Sequence, residues 1–248
     1  MKVFVIVPAA GLGTRMAPAS GAKSRKNARS KQFKELGGVP ILMRTLRKFA
    51  ATPAVYEIIV ALRHDEISGF SAQLEKQYPE ILNKRLQTVV GGEHRQDSVA
   101  SALAHTAADA EDIVLVHDAV RPFVTPEIIA NVIEAAHQRG AAIAGWPAVD
   151  TVKQVERTAD GALIKATIPR ASVVMAQTPQ GFRYSILKKA FDDATADGFL
   201  GTDEASLIER AGLPVVVVMG SPRNIKITTP ADMELAEFYL KTENGAKP

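Results

Sequence analysis

Short unbroken runs of apolar residues alternate along this chain with longer stretches whose apolar positions recur every three or four residues. Residues 3–7 are wholly apolar and rich in valine, the pattern of a parallel strand buried on both faces. Similar runs at 56–61, 86–90, 113–116, 142–146 and 215–219 predict further strands. Helical spacing at 41–51, 65–77, 96–106 and 126–139 falls between them. Strand–helix–strand units with short connections predict an α/β fold, a mostly parallel sheet with helices on both faces. Thr125-Pro126-Glu127 and Thr229-Pro230-Ala231-Asp232 each set a capping residue before a proline suited to the first helical position. Asp232 adds the acid of a capping box.

The alternation breaks after Pro147. Residues 151–156 and 163–168 read as two strands joined by a turn at Ala159-Asp160-Gly161, with no helix between them, so they predict an antiparallel hairpin. A lone hairpin is marginal in water, so this one is expected to pack on a neighbouring subunit or on its own domain. Helical spacing resumes at 184–195, 204–211 and 231–240. The expected organisation is a single domain over 1–242, with 149–175 as a protruding β-arm and 243–248 as a frayed polar tail.

Composition narrows the chemistry. The chain of 248 residues has 46% apolar and 23% charged residues, which suits one folded domain. It has no cysteine, which excludes disulfides, thiol nucleophiles, cysteine zinc sites and iron–sulfur clusters. Its apolar runs fall short of the roughly 20 residues of a membrane helix, and its first residues lack a signal-peptide pattern. A cytoplasmic protein without a membrane partner is expected. Seven basic residues and no acid lie between Arg15 and Lys34, and removing them from the net +3 leaves the rest at −4. A local cationic segment of this kind attracts phosphates.

Four motifs carry candidate chemistry. Pro8-Ala9-Ala10-Gly11-Leu12-Gly13-Thr14-Arg15 follows the first strand, where small residues let backbone N–H groups approach a ligand. Met16 replaces the third glycine of a dinucleotide fingerprint, and no Walker A loop occurs anywhere. A triphosphate held by backbone donors and side-chain cations fits what remains. Gly91-Gly92-Glu93-His94-Arg95-Gln96-Asp97-Ser98 follows the third strand, with glycines for close approach and a hydroxyl at Ser98. His94 and Arg95 read there as solvated side chains. His117-Asp118-Ala119-Val120-Arg121 follows the fourth strand, where Asp118 suits a metal or ribose and Arg121 a phosphate, the plain alternative being an Asp118–Arg121 ion pair. Lys226 sits between Ile225 and Ile227 in a strand-like pattern just before the Thr229 helix start.

Taken together, PAAGLGTRM, SKQF, GGEHRQDSV, VHDAVRPF, TPQGF, TDEAS and NIKITTPADMELAEFYL resemble the 2-C-methyl-D-erythritol 4-phosphate cytidylyltransferases, in the family's order and from Val3 to Leu240. The resemblance implies a Rossmann-like nucleotidyltransferase sheet with a dimerising arm. It also implies transfer of CMP from CTP to the sugar-alcohol phosphate with release of pyrophosphate, in the non-mevalonate isoprenoid pathway, with Mg²⁺ as cofactor. By motif position, Arg15 and Lys31 would stabilise the transition state, and Arg170 and Lys226 would position the sugar phosphate. Pro8, Ala9, Ala10, Gly11, Gly13, Gly91, Gly92, Ser98, Asp118 and Ala119 would hold the nucleotide. Asp118, Arg121, Thr151, Thr178 and Thr202 would line the substrate site. Arm exchange in a homodimer would place Thr151 and Arg170 in the partner's site.

The link from Arg15 to Lys31 is longer than the family's usual one. Lys23, Arg25 and Lys26 therefore compete with Lys31, which is favoured because Gln32 and Phe33 follow it. The like charges of this segment predict mobility without ligand and closure over a triphosphate. From the residues alone, cations without an evident His–carboxylate pair fit attack by a phosphate that is already ionised. Mg²⁺ would bridge the triphosphate oxygens, with Asp118 as candidate ligand. The rival readings are a ribitol 5-phosphate cytidylyltransferase and a non-catalytic nucleotide-binding regulator. A nucleic-acid binder is disfavoured, since Phe33 is the lone aromatic between Met16 and Arg47.

Overall fold

The computed structural model describes residues 1–11, 30–159 and 161–243. The elements run in the order β1 (Val3–Pro8), β2 (Glu35–Leu36), β3 (Val39–Pro40), α1 (Ile41–Ala50), β4 (Val55–Leu62), α2 (His64–Gln77), β5 (Arg85–Val90), α3 (Arg95–Ala104) and β6 (Ile113–Val116). They continue with α4 (Pro126–Arg139), β7 (Ala141–Pro147), β8 (Val152–Thr158), β9 (Gly161–Ile168), β10 (Val174–Arg183), α5 (Tyr184–Ala196), α6 (Glu204–Arg210), β11 (Val216–Met219) and α7 (Pro230–Glu243). The six strands and seven helices expected from hydrophobic pattern are all present, with ends shifted by a few residues at most.

The central sheet has seven strands in the order β11-β7-β10-β6-β1-β4-β5. β1 lies parallel to both β4 and β6. The unbroken apolar pattern of β1 reflects burial on two sides. Val3, Val5 and Val7 join one core with α1, α2 and α4. Phe4 and Ile6 join the other with α3, α5 and α6. From β1 the chain builds outward to β4 and β5, then returns to place β6 on the opposite side. The carboxyl ends of β1 and β6 therefore flank the switch in strand order, where open α/β sheets bind ligands.

β10 was not legible as a strand. It runs antiparallel between β6 and β7; its apolar stretch, residues 173–176, is short, and its middle reads Gln177-Thr178-Pro179-Gln180. These side chains point polar groups into the molecule, and their backbone pairing is irregular between Ala176 and Gln180. Lys226 also departs from expectation, because residues 224–228 form an extended loop and not a strand. The N–H of Ile227 donates to the carbonyl of Val120 at 3.0 Å, which ties this loop to the turn after β6.

The hairpin is as expected in its strands, and β8 and β9 form a separate two-stranded sheet. It does not lie on the body of its own chain, since nearly every residue of both strands is exposed. Both marked helix starts form. The Thr125 hydroxyl accepts from the N–H of Ile128 at 3.3 Å. The Asp232 carboxylate accepts from the N–H groups of Thr228 and Thr229, each at 2.8 Å. Helix α7 runs through Glu243, one residue into the segment expected to fray, and the remainder of that tail lies outside the described residues.

Candidate active site

Three chain segments leave the sheet at the switch point and enclose a cavity of about 220 Å³. Pro8, Ala9, Ala10 and Gly11 line it from the end of β1, Gly92 and Ser98 from the turn into α3, and Asp118 and Ala119 from the end of β6. Lys31 and Lys226 bring two cations to its wall. The sequence-level candidates Pro8, Ala9, Ala10, Gly11, Lys31, Gly92, Ser98, Asp118, Ala119 and Lys226 are thus brought together.

Small residues are required here. A Cβ on Gly91 would lie 2.6 Å from the Ala10 Cβ and 2.8 Å from the Ser98 Oγ, so this glycine lets the first loop pack against α3. The N–H of Gly92 donates to the Ser98 hydroxyl at 3.2 Å, fixing the turn. Lys31 begins a short 3-10 turn, Lys31–Phe33. Gln32 follows it, buried, and donates to the Ala9 carbonyl at 2.5 Å. The Lys31 backbone is thereby pinned beside the first loop. Gly13 and Arg15 lie outside the described residues, as do Lys23, Arg25, Lys26 and the expected mobility and closure of the basic loop.

A second cavity, about 180 Å³, adjoins the first. It is lined by Arg121, Thr178, Gln180 and Thr202 together with Arg95, Asp118 and Lys226. The last three line both cavities. Thr151 and Arg170 line neither. Arg170 sits at the base of the arm, exposed, with its guanidinium donating to the Val149 carbonyl at 2.9 Å.

At the junction Asp118 is 6% exposed and meets three cations. Arg95 Nε donates to Oδ1 at 3.2 Å, while Arg121 Nε and Lys226 Nζ reach Oδ2 at 3.1 and 3.0 Å. Burial opposes ionisation of this carboxyl, but the three cations outweigh it and hold its pKa far below the usual carboxylate range. The simple Asp118–Arg121 pair is therefore one part of a larger cluster. Asp118 does not fit direct metal ligation as placed, since a dication would have to displace or join three cations on one carboxylate. Among the described residues no cluster of three or more acidic or histidine side chains is suited to a metal.

Arg95 corrects the sequence reading. Its side chain is 27% exposed, and besides Asp118 it donates through Nη1 to both oxygens of Glu204, at 2.6 and 2.9 Å. Glu204 is 1% exposed at the start of α6. Sequence reasoning singled out neither as a site residue. The available signal was an arginine and an acid inside two of the motifs, GGEHRQDSV and TDEAS. His94, by contrast, is exposed as expected.

His117 locks the turn. Its Nε2–H donates to the Arg121 carbonyl at 3.1 Å, and the Thr178 hydroxyl donates to its Nδ1 at 3.1 Å. The same hydroxyl accepts from the N–H of Asp118 at 3.0 Å. Complete burial pushes the imidazole pKa down to about 4, so the ring is neutral near pH 7 and its nitrogens are engaged in structure.

A mostly parallel α/β sheet with a backbone-lined cavity and clustered cations at its switch point defines a nucleotidyltransferase fold. The family model for IspD, 2-C-methyl-D-erythritol 4-phosphate cytidylyltransferase, matches residues 3–242, and the chain belongs to that family. It is 59% identical to the protein of that name from Acidobacterium capsulatum, over 99% of this chain and all of the relative. The counterpart from Solibacter usitatus is 50% identical over 98% of this chain and 97% of its own. Among solved structures, the Francisella tularensis enzyme of the same name superposes with a TM-score of 0.78 at 34% identity, covering 96% of this chain and 99% of that one. Among the described residues no helix is long and apolar enough to cross a membrane.

Proposed function

We propose that this protein transfers CMP from CTP to 2-C-methyl-D-erythritol 4-phosphate and releases pyrophosphate. The observation that carries the reading is the pair of adjoining cavities that share Asp118, Arg95 and Lys226. One is lined by small residues and backbone, suited to a nucleotide. The other is lined by hydroxyls, amides and cations, suited to a polyol phosphate.

A phosphate monoester has a second pKa of about 6, so near pH 7 the nucleophile is already mostly a dianion. Its oxygen attacks the α-phosphorus of CTP, the bond to the β-phosphate oxygen breaks, and the electron pair leaves on pyrophosphate. No general base is needed, in keeping with His117 being buried and neutral. The work of this chain is to bring two anions together and spread their charge. Lys31 serves the triphosphate, and Lys226 stands where both substrates converge. Asp118 holds Lys226 by an ion pair, Arg121 anchors the loop before it through the Asn224 carbonyl at 2.7 Å, and Thr178 and Thr202 line the polyol cavity. Were Mg²⁺ to bind with the triphosphate, it would supply further neutralisation of the phosphate charge, held by the nucleotide itself and not directly by Asp118. Arg170 and Thr151 serve the site of a second subunit, through arm exchange in a homodimer. The exposed apolar Val155, Leu163 and Ile164 on the arm support that reading. A cytoplasmic location belongs to the same reading.

Incubation of the protein with CTP, Mg²⁺ and methylerythritol phosphate, followed by ³¹P NMR, tests the proposal. A new diphosphate esterified at both ends, its two phosphorus atoms joined by an anhydride bond, should appear with an equal amount of pyrophosphate. Unchanged substrates, or pyrophosphate without the diphosphate, would contradict it.

A further inference from the structure

Arg95 lines both cavities and pairs with the buried Glu204, and the chemistry above gives neither residue a step. Glu204 opens α6, where Asp203 caps the helix by accepting from the N–H of Ser206 at 3.0 Å. Gln180 braces the same helix start. Its amide donates to Asp203 at 2.8 Å and its oxygen accepts from the N–H of Ala205 at 3.1 Å. Glu204 is therefore held on a rigid support, and both of its oxygens take Arg95 Nη1. Arg95 is itself the first residue of α3, and its Nε is left to face Asp118 Oδ1. Asp118 in turn holds Lys226 on its other oxygen. A continuous chain of charge-assisted bonds thus runs from the start of α6 to the lysine that both cavities share.

Burial of Glu204 costs desolvation that offsets most of the pair's attraction, so the pair contributes little net stability. Its geometry has a more specific consequence. Glu204 fixes the guanidinium through Nη1, so that Nε alone reaches Asp118 and the buried Nη2 has no hydrogen-bond partner among the described residues. Without the Glu204 charge, Arg95 is free to take Asp118 in a two-pronged grip, which a guanidinium prefers. Asp118 Oδ2 would then be drawn away from Lys226. We propose that Glu204 and Arg95 are positioning residues for the transfer reaction, restraining Asp118 so that Lys226 is held at the junction of the two cavities.

The inference rests on the proposed function, because it assigns Lys226 a role in that reaction. It predicts a kinetic signature. The groups that line only one cavity are untouched by a change at Glu204, so ground-state binding of each substrate should be little altered. Placement of Lys226 against the developing charge should suffer. Glu204→Gln should lower kcat by about tenfold or more, with the KM values for CTP and sugar phosphate changed less than about threefold. Arg95→Ala should be worse, and millimolar guanidinium should restore part of its activity. In the double variant Glu204→Gln with Arg95→Ala, the loss should be no greater than for Arg95→Ala alone, because the two act as one unit.

The decisive comparison combines these kinetics with melting temperatures and a crystal structure of Glu204→Gln. The expected result is the selective fall in kcat, guanidinium rescue of Arg95→Ala, and a Lys226–Asp118 contact lengthened from its present 3.0 Å. A lowered melting temperature with kcat per folded molecule unchanged would overturn the proposal, as would a retained Lys226–Asp118 contact in Glu204→Gln. Failure of the functional reading shows separately, as a wild-type protein that does not turn over CTP and methylerythritol phosphate. In that case the crystal structure alone decides whether Glu204 restrains Lys226 through Asp118.

Discussion

Asp118 concentrates the electrostatic demands of the site in one side chain. With Arg95, Arg121 and Lys226 on its two oxygens, Asp118→Asn removes the counter-charge of three cations at once. Breaking a buried cluster in this way should destabilise the fold by about 3–5 kcal/mol near neutral pH. Its folded-state pKa is depressed, so the stabilisation is complete above the unfolded value of about 3.9 and is lost as pH falls below it. Urea unfolding of wild type and Asp118→Asn should show a gap that narrows below about pH 4; a gap constant down to pH 2 would refute the assignment. His117 has the opposite charge type and a different window. Its pKa is lowered to about 4, so the unfolded chain takes up this proton first and stability falls as pH drops from about 6.5 toward 4, by about 3 kcal/mol at most. In His117→Asn that part of the pH slope should disappear.

At the scale of elements, the loops after β1, β5 and β6 make the site because each ends a parallel strand at the same edge of the sheet. Gly91 sets how closely the first and second of these approach. Gly91→Ala would force its new methyl group against Ala10 and Ser98, widening the nucleotide cavity. It should raise the KM for CTP by about tenfold, with the melting temperature lowered and the KM for the sugar phosphate nearly unchanged. An unaltered KM for CTP would mean that this contact does not shape the cavity. The parallel strands and their loops were legible in the sequence because two-sided burial leaves unbroken apolar runs and because motifs at strand ends stand out against them. β10 was illegible for the converse reason. Its central residues face the site, so polar groups occupy positions that usually announce a strand. Arg95 and Glu204 were missed because an arginine after two glycines looks solvated until its partner, 109 positions away, is brought beside it by the fold. Lys226 was placed correctly near the helix start but in the wrong secondary structure, since its apolar neighbours pack on α7 and the Val120 turn, not in a sheet.

For the whole molecule, the arm is the feature that the rest of the described chain leaves uncovered. Thr151 and Arg170 lie apart from both cavities, and the strands that carry the arm bury almost nothing of their own. If they complete a partner's site, mixing Lys31→Ala protein with Arg170→Ala protein places both defects in one site of each heterodimer and leaves the other intact. Activity should recover to roughly a quarter of wild type after random exchange, one sound site in two across half the dimers. No recovery, with exchange verified by mass, would assign Arg170 to its own subunit.

The central claim is that the shared junction of Asp118, Arg95 and Lys226 serves a cytidylyl transfer to methylerythritol phosphate. Its most direct test is the rate of pyrophosphate release from CTP with methylerythritol 4-phosphate and with ribitol 5-phosphate, measured side by side. The account predicts a kcat/KM for methylerythritol phosphate at least about a hundredfold above that for ribitol phosphate. Equal values, or a preference for ribitol phosphate, would contradict it.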